Sequence, residues 1–238
     1  MSVIKNEIEK FTLVAKDWWD PTKLSFKMLH EINPVRLQYI TDSIRNYFKF
    51  SGNDGFKKLK ILDVGCGGGI ASIPLAKLGA SVLGIDAGEE NIEAAKNQSQ
   101  KLGIDTEFKC QKLEKMQKDE VFDVVLCLEV IEHVEDPEKF IKNLSLRVKK
   151  GGLLILSTIN KTLKSKLLAI YAAEYILRLI PAGTHSWEKF IKPSDLIKFS
   201  LKCGLQCKDI SGISFSLLKQ EWEISKDIDV NFIALLER

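Results

Sequence analysis

Hydrophobic residues occur in short aliphatic runs that alternate with amphipathic stretches of helical length. The runs, such as Ile61, Leu62 and Val64, lack an apolar/polar alternation, which is typical of strands that are buried on both faces. Seven such runs are present, at positions 61–64, 81–86, 106–110, 122–127, 153–158, 205–210 and 230–236. Between many of these runs, apolar residues recur with the spacing of a helix, at 70–78, 89–102, 137–149 and 194–203. This order predicts an α/β fold with a doubly wound, mostly parallel seven-stranded sheet.

Glycines mark the expected ends of several helices. Gly79, Gly103, Gly151 and Gly204 each follow a helical stretch and precede a strand, where a left-handed residue commonly ends a helix. The carboxyl ends of parallel strands meet at one edge of such a sheet, and ligands bind there. We therefore expect the chemistry to depend on the residues that follow the strands.

The N-terminal segment does not follow this alternation. Residues 1–55 are predicted to form a helical lid or brace, with one helix ending near Trp18 and Trp19 and a second over 35–50, while 56–238 form the ligand-binding domain. Two adjacent indoles suit either a flat, apolar substrate or a helix end that packs on the domain. The sequence leaves both alternatives open.

A glycine cluster follows the first predicted strand. Residues 60–69 read K-I-L-D-V-G-C-G-G-G, and Gly65 and Gly67 allow a sharp turn and a close ligand approach. Ile70 stands where a dinucleotide-binding fingerprint requires a small residue. The Asp63 carboxylate beside the loop repels a pyrophosphate but suits a ligand with an ammonium and a sulfonium group. The loop therefore predicts an S-adenosylmethionine site.

Two further charged residues are candidates for binding this cofactor. Asp86 ends the second strand about 20 residues after Gly65, where a carboxylate accepts hydrogen bonds from ribose hydroxyls. Arg36 lies near the predicted start of a helix, where a cation opposes the helix dipole. That position is explained if Arg36 reaches a carboxylate, either that of the cofactor or that of a surface ion pair.

Composition excludes several classes of protein. The chain has 238 residues, 45% hydrophobic content and a net charge of +3, which suit a globular domain and not a nucleic-acid binder. Its five cysteines form no C-x-x-C pair, so neither a disulfide framework nor a zinc motif is indicated. The sequence shows neither the apolar core of a signal peptide nor an uncharged run that is long enough to span a bilayer. We expect a cytoplasmic protein that is soluble or lies on a membrane surface.

Acidic residues and a histidine follow the fourth strand. Residues 128–137 read L-E-V-I-E-H-V-E-D-P, so a helical turn here would place Glu129, Glu132 and His133 on one face. Such a face holds a divalent metal or serves as a general base that deprotonates a phenol. The structural alternative is that the acids cap the next helix and the histidine packs below the site. Leu128 lies where it would contact the cofactor.

Residues 160–192 interrupt the α/β alternation and are predicted to form a helical insert. Basic residues such as Lys161 and Lys166 precede a largely apolar stretch that contains tyrosines, a composition that suits the interface of a bilayer. The alternative is a buried helix that covers the sheet. His185, Trp187 and Phe190 are expected at the mouth of the site as substrate contacts.

Several motifs resemble one family along nearly the whole chain. The five motifs are Trp18-Trp19-Asp20, Leu29-His30-x-x-Asn33-Pro34-x-Arg36-Leu37, Leu62-Asp63-Val64-Gly65-Cys66-Gly67-Gly68-Gly69, Glu129-x-x-Glu132-His133-Val134 and Ala173-Glu174-Tyr175-Ile176-Leu177-Arg178. The glycine loop is common to many methyltransferases, whereas the tryptophan pair, the N-P-x-R segment and A-E-Y-I-L-R are much more specific. With these motifs the chain resembles the ubiquinone-biosynthesis O-methyltransferases, which are class I S-adenosylmethionine-dependent enzymes with a Rossmann-like fold.

The resemblance implies roles for individual residues. Arg36, Gly65, Asp86 and Leu128 match the cofactor contacts of the family, although some relatives have methionine in place of Leu128. Relatives of the mitochondrial branch carry a divalent metal on the E-x-x-E-H residues, which implies Mg²⁺ or Zn²⁺ on Glu129, Glu132 and His133. The sequence has Gln111-Lys112 where many methyltransferases present a carboxylate to the adenine.

The resemblance also implies a substrate and a location. Family members methylate ring hydroxyls of polyprenylated phenols and catechols, namely 2-polyprenyl-6-hydroxyphenol and 3-demethylubiquinol. A polyprenyl tail partitions into a bilayer, which implies a peripheral protein at the inner membrane, with contact through 160–192 and a place in a ubiquinone-biosynthesis assembly. Two alternatives remain: a methyltransferase of another lipid or small molecule, and a non-catalytic, membrane-associated cofactor-binding subunit.

Overall fold

The computed structural model describes residues 15–168 and 187–238, and within them the chain forms one eight-stranded sheet flanked by helices. The strand order across the sheet is β3-β2-β1-β4-β5-β8-β6-β7. The strands are β1 Lys60–Val64, β2 Ser81–Asp86, β3 Glu107–Cys110, β4 Phe122–Leu128, β5 Val148–Ile159, β6 Gln206–Ser216, β7 Glu221–Ser225 and β8 Asn231–Glu237. The helices are α1 Leu24–Phe48, α2 Ser72–Lys77, α3 Glu89–Leu102, α4 Pro137–Ser145, α5 Leu163–Ser165 and α6 Pro193–Lys202. Short 3₁₀ turns lie at Ala15–Asp17, Phe56–Lys58, Leu113–Lys115, Ile131–His133 and Trp187–Lys189.

The first five strands are parallel, as the aliphatic runs predict. β8 is antiparallel to both β5 and β6, so β6 runs in the same direction as the first five strands. The doubly wound, mostly parallel fold is therefore confirmed. The structure adds an eighth strand, β7 (E-W-E-I-S), which pairs with β6 and is only partly buried. Its polar residues gave no aliphatic run from which to predict it.

Both faces of the sheet are buried, and successive residues of β1 show how. Leu62 and Val64 belong to the core on one face, together with Phe140 of α4. Ile61 belongs to the core on the other face, where Ile40 and Ile44 of α1 pack. Since side chains alternate across a strand, a continuous aliphatic run supplies both cores. α1 is thus part of the core of the fold.

Two details of the sequence prediction are wrong. α1 begins at Leu24 and runs through Pro34, whereas its start was predicted at position 35. A proline within a helix removes one backbone donor, and here the buried face of α1 outweighs that cost. Gly151 has a positive φ of 71° but lies inside β5, because α4 already ends at Ser145.

Candidate functional site

The glycine loop lies at the carboxyl edge of the sheet, directly after β1. The amide of Gly65 donates to the carbonyl oxygen of Ile85 at 2.8 Å, which ties the loop to β2. Gly65 has a φ of 73°, and a Cβ there would lie 2.4 Å from a methyl carbon of Val130. Only glycine combines this backbone conformation with this close approach. The loop is therefore closely packed and held at the edge where α/β sheets bind ligands.

The tryptophan pair packs on this loop. A Cβ added to Gly67 or Gly68 would lie 2.4 or 2.5 Å from atoms of Trp18, so these glycines make room for its side chain. The indole of Trp18 donates to Asn91 Oδ1 at 2.8 Å, and that of Trp19 donates to the carbonyl oxygen of Gly68 at 2.8 Å. The packing alternative therefore describes the observed position of both indoles.

Asp86 organises the backbone around the loop. Its carboxylate accepts hydrogen bonds from the amide of Gly67 at 3.0 Å, the amide of Gly88 at 2.8 Å and the side-chain amide of Asn91 at 3.1 Å. Hydrogen bonds to an ionised acceptor are among the stronger ones in proteins. Asn91 links Asp86 to Trp18, and sequence reasoning missed it because a single asparagine in a helix carries no recognisable signal. Asp86 thus connects the loop, β2 and α3.

Arg36 is a buried cation with unused hydrogen-bonding capacity. It is 5% exposed and lies in the middle of α1, so its predicted place near a helix start is wrong. One guanidinium nitrogen donates to Asn33 Oδ1 at 3.0 Å, and another lies 3.9 Å from Glu129 Oε1. Its Nε is buried without a partner. A buried donor of this kind is costly unless a ligand satisfies it, and a carboxylate suits it best.

Asp63 lies below the loop and is 2% exposed. The hydroxyl of Ser72 donates to Asp63 Oδ2 at 2.5 Å. Burial raises the pKa of Asp63 to about 6, although the Ser72 hydrogen bond and the charge of Arg36 oppose this shift. The carboxylate is thus destabilised in the folded protein. Its predicted contact with the cofactor stays a prediction.

This raised pKa has a consequence for stability. Well above pH 6 the folded protein carries the full cost of a buried ionised Asp63, whereas well below the ordinary pKa of 3.8 the group is protonated in both the folded and unfolded states. As the pH falls from about 7 to about 3, we expect the unfolding free energy of the wild type, relative to Asp63→Asn, to rise by about 3 kcal/mol. Urea unfolding of both proteins across this range measures the difference, and a difference independent of pH would contradict the assignment.

Two carboxylates meet at the end of β4. The hydroxyl of Ser157 donates to Glu129 Oε1 at 2.7 Å, and that of Thr158 donates to Glu132 Oε2 at 2.8 Å. Both hydroxyls come from the carboxyl end of β5, which lies beside β4 with Leu128 opposite Ser157. Sequence reasoning missed Ser157 and Thr158, although polar residues at the end of an aliphatic strand are a usable signal.

The predicted helical face does not form as expected. Glu129 has a φ of 55°, in the left-handed region, and precedes the 3₁₀ turn Ile131–His133, so the three residues do not share one helical face. Glu132 is buried with one carboxylate oxygen unpartnered, and burial together with the neighbouring Glu129 raises its pKa well above the ordinary value. His133 is buried as well. A left-handed non-glycine residue is strained, and such strain is concentrated at functional sites.

The remaining predicted contacts fall in different places. Leu128 ends β4 and is half-buried against the core. The indole of Trp187 donates to the carbonyl oxygen of Thr162 at 3.0 Å, and Phe190 is buried. His185 lies in 169–186, outside the described residues, as does most of the predicted insert. In the part of the chain that the structure describes, no helix is long and apolar enough to cross a membrane.

Comparison with known proteins agrees with this architecture. Residues 56–198 match the model of a family described as a methyltransferase domain. The magnesium protoporphyrin IX methyltransferase ChlM from Synechocystis PCC 6803, solved with bound SAH, is 26% identical with a TM-score of 0.62, covering 88% of this chain and 86% of that one. The plantazolicin methyltransferase BpumL, in complex with SAH, is 18% identical with a TM-score of 0.66, covering 98% of each chain. The fold and the glycine loop define a class I S-adenosylmethionine-dependent methyltransferase.

Similarity to curated proteins identifies one family within this class. The ubiquinone biosynthesis O-methyltransferase of Pelagibacter ubique is 46% identical over 98% of this chain and 97% of its own length. Those of Rickettsia felis and Coxiella burnetii are each 42% identical, over 100% and 98% of this chain and 95% of their own lengths. The chain belongs to the ubiquinone biosynthesis O-methyltransferase family. The family and enzyme class predicted from the sequence are therefore confirmed.

Proposed function

We propose that the protein methylates a ring hydroxyl of a polyprenylated phenol or catechol, with S-adenosylmethionine as the methyl donor. The relatives' name, ubiquinone biosynthesis O-methyltransferase, supports this class of acceptor. The observation that carries the proposal is the pair Glu129 and Glu132, which lies at the end of β4, beside the glycine-loop strand β1. A carboxylate pair beside a methyl-donor site suits the removal of a proton from a phenol.

The cofactor would be held by residues on three elements. The loop at Gly65 and Gly67 would offer main-chain contacts to it at the carboxyl edge of the sheet, and Asp86 would accept hydrogen bonds from its ribose. The unpartnered Nε of Arg36 supports a role for this residue in binding the cofactor carboxylate. Asp63 supplies negative charge near the loop, and Leu128 would contact the cofactor from β4. When bound, the cofactor supplies an electrophilic methyl group.

In our proposal the two glutamates of the acid pair, Glu129 and Glu132, differ in protonation state and therefore in role. Glu132 is buried, and burial together with the neighbouring Glu129 raises its pKa, so it is the member that favours the protonated form. Glu129 faces the positive charge of Arg36, and its side chain is 37% exposed, so it is the accessible member. In our proposal Glu129 takes the proton as the O–H bond breaks. The ring oxygen, without its proton, would then be the nucleophile for the methyl group that the bound cofactor supplies.

His133 remains the second candidate for the proton acceptor. It adjoins Glu132 in the chain but is only 6% exposed, so Glu129 has better access to an entering acceptor. Whichever group accepts the proton, most of the acceleration would come from holding the oxygen and the methyl group in line and in contact. Matched Glu129→Gln and His133→Asn variants separate the two roles.

The arrangement of Glu129 and Glu132 also indicates which of the predicted metals the site would fit. No group of three or more His, Cys, Asp or Glu side chains is arranged for a metal within 15–168 and 187–238, so the predicted set with His133 is not brought together. A zinc site needs at least three protein ligands and does not fit. Magnesium takes one or two carboxylates plus substrate and water oxygens, and Glu129 and Glu132, with its unpartnered oxygen, fit that demand. There it would lower the pKa of the ring hydroxyl.

A chelator experiment tests whether Glu129 and Glu132 bind a cation. Activity that EDTA abolishes and Mg²⁺ restores would assign Glu129 and Glu132 to a cation. Activity that EDTA leaves unchanged would exclude a required metal and leave Glu129 or His133 as the proton acceptor, which the two variants separate. Neither chelator result changes the acceptor class.

An acceptor panel tests the function itself. It contains a short-chain prenylated catechol, the same catechol without the tail, and an unrelated lipid that bears a hydroxyl group. The proposal expects turnover of the prenylated catechol above both others. Preference for another acceptor would favour the alternative of a different methyltransferase, whereas cofactor binding without any turnover would favour a non-catalytic subunit. The place in a biosynthetic assembly and the inner-membrane location stay predictions.

A further inference from the structure

The hairpin that joins β6 to β7 ends in two leucines that face solvent. Leu217 is 83% exposed and Leu218 is 99% exposed, the two highest values among the large hydrophobic residues that the structure describes. Below this tip, Phe215 and Trp222 stack edge to face across the two strands. A single exposed leucine is ordinary, but two consecutive ones at the tip of an ordered turn leave an apolar surface without a partner.

The tip projects from the active-site edge of the sheet. β6 runs parallel to β5, so its carboxyl end lies at the same edge as Ser157 and Thr158. Asn231 of β8 is level with Ile159 of β5, and its side-chain oxygen accepts a hydrogen bond from the backbone amide of Ile213 at 3.0 Å. Leu217 is four residues farther along, which is about 13 Å beyond that level at the usual rise of a strand. The leucines thus extend beyond the same edge of the sheet as the acid pair, although β5 and β8 separate β6 from β4.

The hairpin is joined to the first turn of the insert. Lys164 Nζ contacts carboxylates of Asp227 and Asp229, in the loop between β7 and β8, at 2.6 and 3.4 Å. The side-chain amide of Asn160 donates to the carbonyl oxygen of Ile228 at 2.8 Å. A Cβ on Gly212 would overlap the carbonyl of Asp227, so this loop also packs closely on β6. These contacts hold the two segments at one end of the molecule.

The first turn of the insert has the same character as the hairpin. Leu163 and Leu167 are 79% and 61% exposed. Nearby, the ammonium groups of Lys161 and Lys166 lie 5.2 and 4.9 Å from the ring centre of Trp187, on which they make cation–π contacts. Exposed leucines beside lysines and an indole are the composition that binds to a bilayer interface, where lysines meet lipid phosphates.

We propose that Leu217 and Leu218 form a second membrane contact that inserts into the bilayer interface alongside the insert. This inference rests on the proposed function, because a polyprenylated acceptor resides in the bilayer. A lipid surface is the occupant that we argue for, because the neighbouring first turn of the insert combines exposed leucines with lysines and an indole. Two separate contacts at one edge would also fix the orientation of the site towards the bilayer.

Vesicle co-sedimentation tests the proposal. The probe is vesicles of phosphatidylglycerol and phosphatidylethanolamine, and the variant is Leu217→Gln with Leu218→Gln. The matched control is Leu102→Gln with Leu201→Gln, because these leucines are 50% and 59% exposed near the opposite edge of the sheet. We expect the partition coefficient to fall about tenfold or more for the hairpin variant and to stay unchanged for the control.

Two further results decide the outcome. Turnover of a water-soluble, short-chain prenylated catechol without vesicles should be equal in all three proteins, which separates membrane contact from the proposed function. Wild-type protein that does not bind vesicles, or a hairpin variant that binds as the wild type does, would overturn the inference. Circular dichroism and thermal melting verify that the variants are folded. Loss of turnover in the wild type with vesicle binding intact would count against the proposed function alone.

Discussion

Replacing Asp86 with alanine is expected to weaken the binding of S-adenosylmethionine about 100-fold. The carboxylate accepts hydrogen bonds from the amides of Gly67 and Gly88 and from the side chain of Asn91. Its loss therefore removes these contacts to the loop as well as the proposed contact with the ribose. Two charge-assisted hydrogen bonds to a ligand are worth about 3 kcal/mol together, which corresponds to this factor. Isothermal titration calorimetry measures the affinity directly.

The control for this prediction is a carboxylate far from the loop. Asp105 is exposed between α3 and β3, at the opposite edge of the sheet, so Asp105→Ala should bind the cofactor as the wild type does. Asp86→Asn keeps one acceptor oxygen and should fall between the wild type and Asp86→Ala. Equal affinities for Asp86→Ala and the wild type would show that the cofactor binds elsewhere.

Replacing Glu129 with glutamine is expected to lower kcat at least 100-fold. A proton acceptor held at the reacting oxygen contributes roughly two to four orders of magnitude to a rate, and an amide does not take a proton. Glutamine has the same shape as glutamate, and it keeps an oxygen for the Ser157 hydroxyl. The affinity for the cofactor should therefore change by less than about twofold, which places the loss in the chemical step.

Steady-state kinetics and cofactor titration together test this prediction. The matched control is Glu135→Gln, because Glu135 is exposed and lies close to the pair in the chain. It should leave kcat unchanged. If Glu129→Gln retained full kcat while His133→Asn lost it, the proton acceptor would be His133 and the proposed role of Glu129 would be wrong.

The class of fold was predictable because its signal is repeated along the chain. Each buried parallel strand needs a continuous aliphatic run, and the cores on both faces of β1 show why. β7 escaped prediction because it is a half-exposed edge strand with charged residues. The start of α1 escaped because local rules place a helix boundary near Pro34, whereas tertiary packing carries the helix through it.

The location of a candidate site residue was predictable where the residue ends or directly follows a strand of the sheet. The glycine loop and Asp86 follow this rule, since their places after β1 and β2 are set by the fold. The conformation of Glu129 was not predictable, because a positive φ at a non-glycine residue depends on its surroundings. Asn91 and Ser157 act through contacts between distant segments, which a single sequence does not encode locally.

The proposed function is tested by measuring the transfer of a labelled methyl group from S-adenosylmethionine to a short-chain prenylated catechol. Mass spectrometry identifies the product, and Glu129→Gln provides the matched inactive protein. We expect the wild type to form a ring O-methyl ether and Glu129→Gln to form it at least about 100-fold more slowly. Cofactor binding without any transfer to the ring hydroxyl would contradict the proposed function.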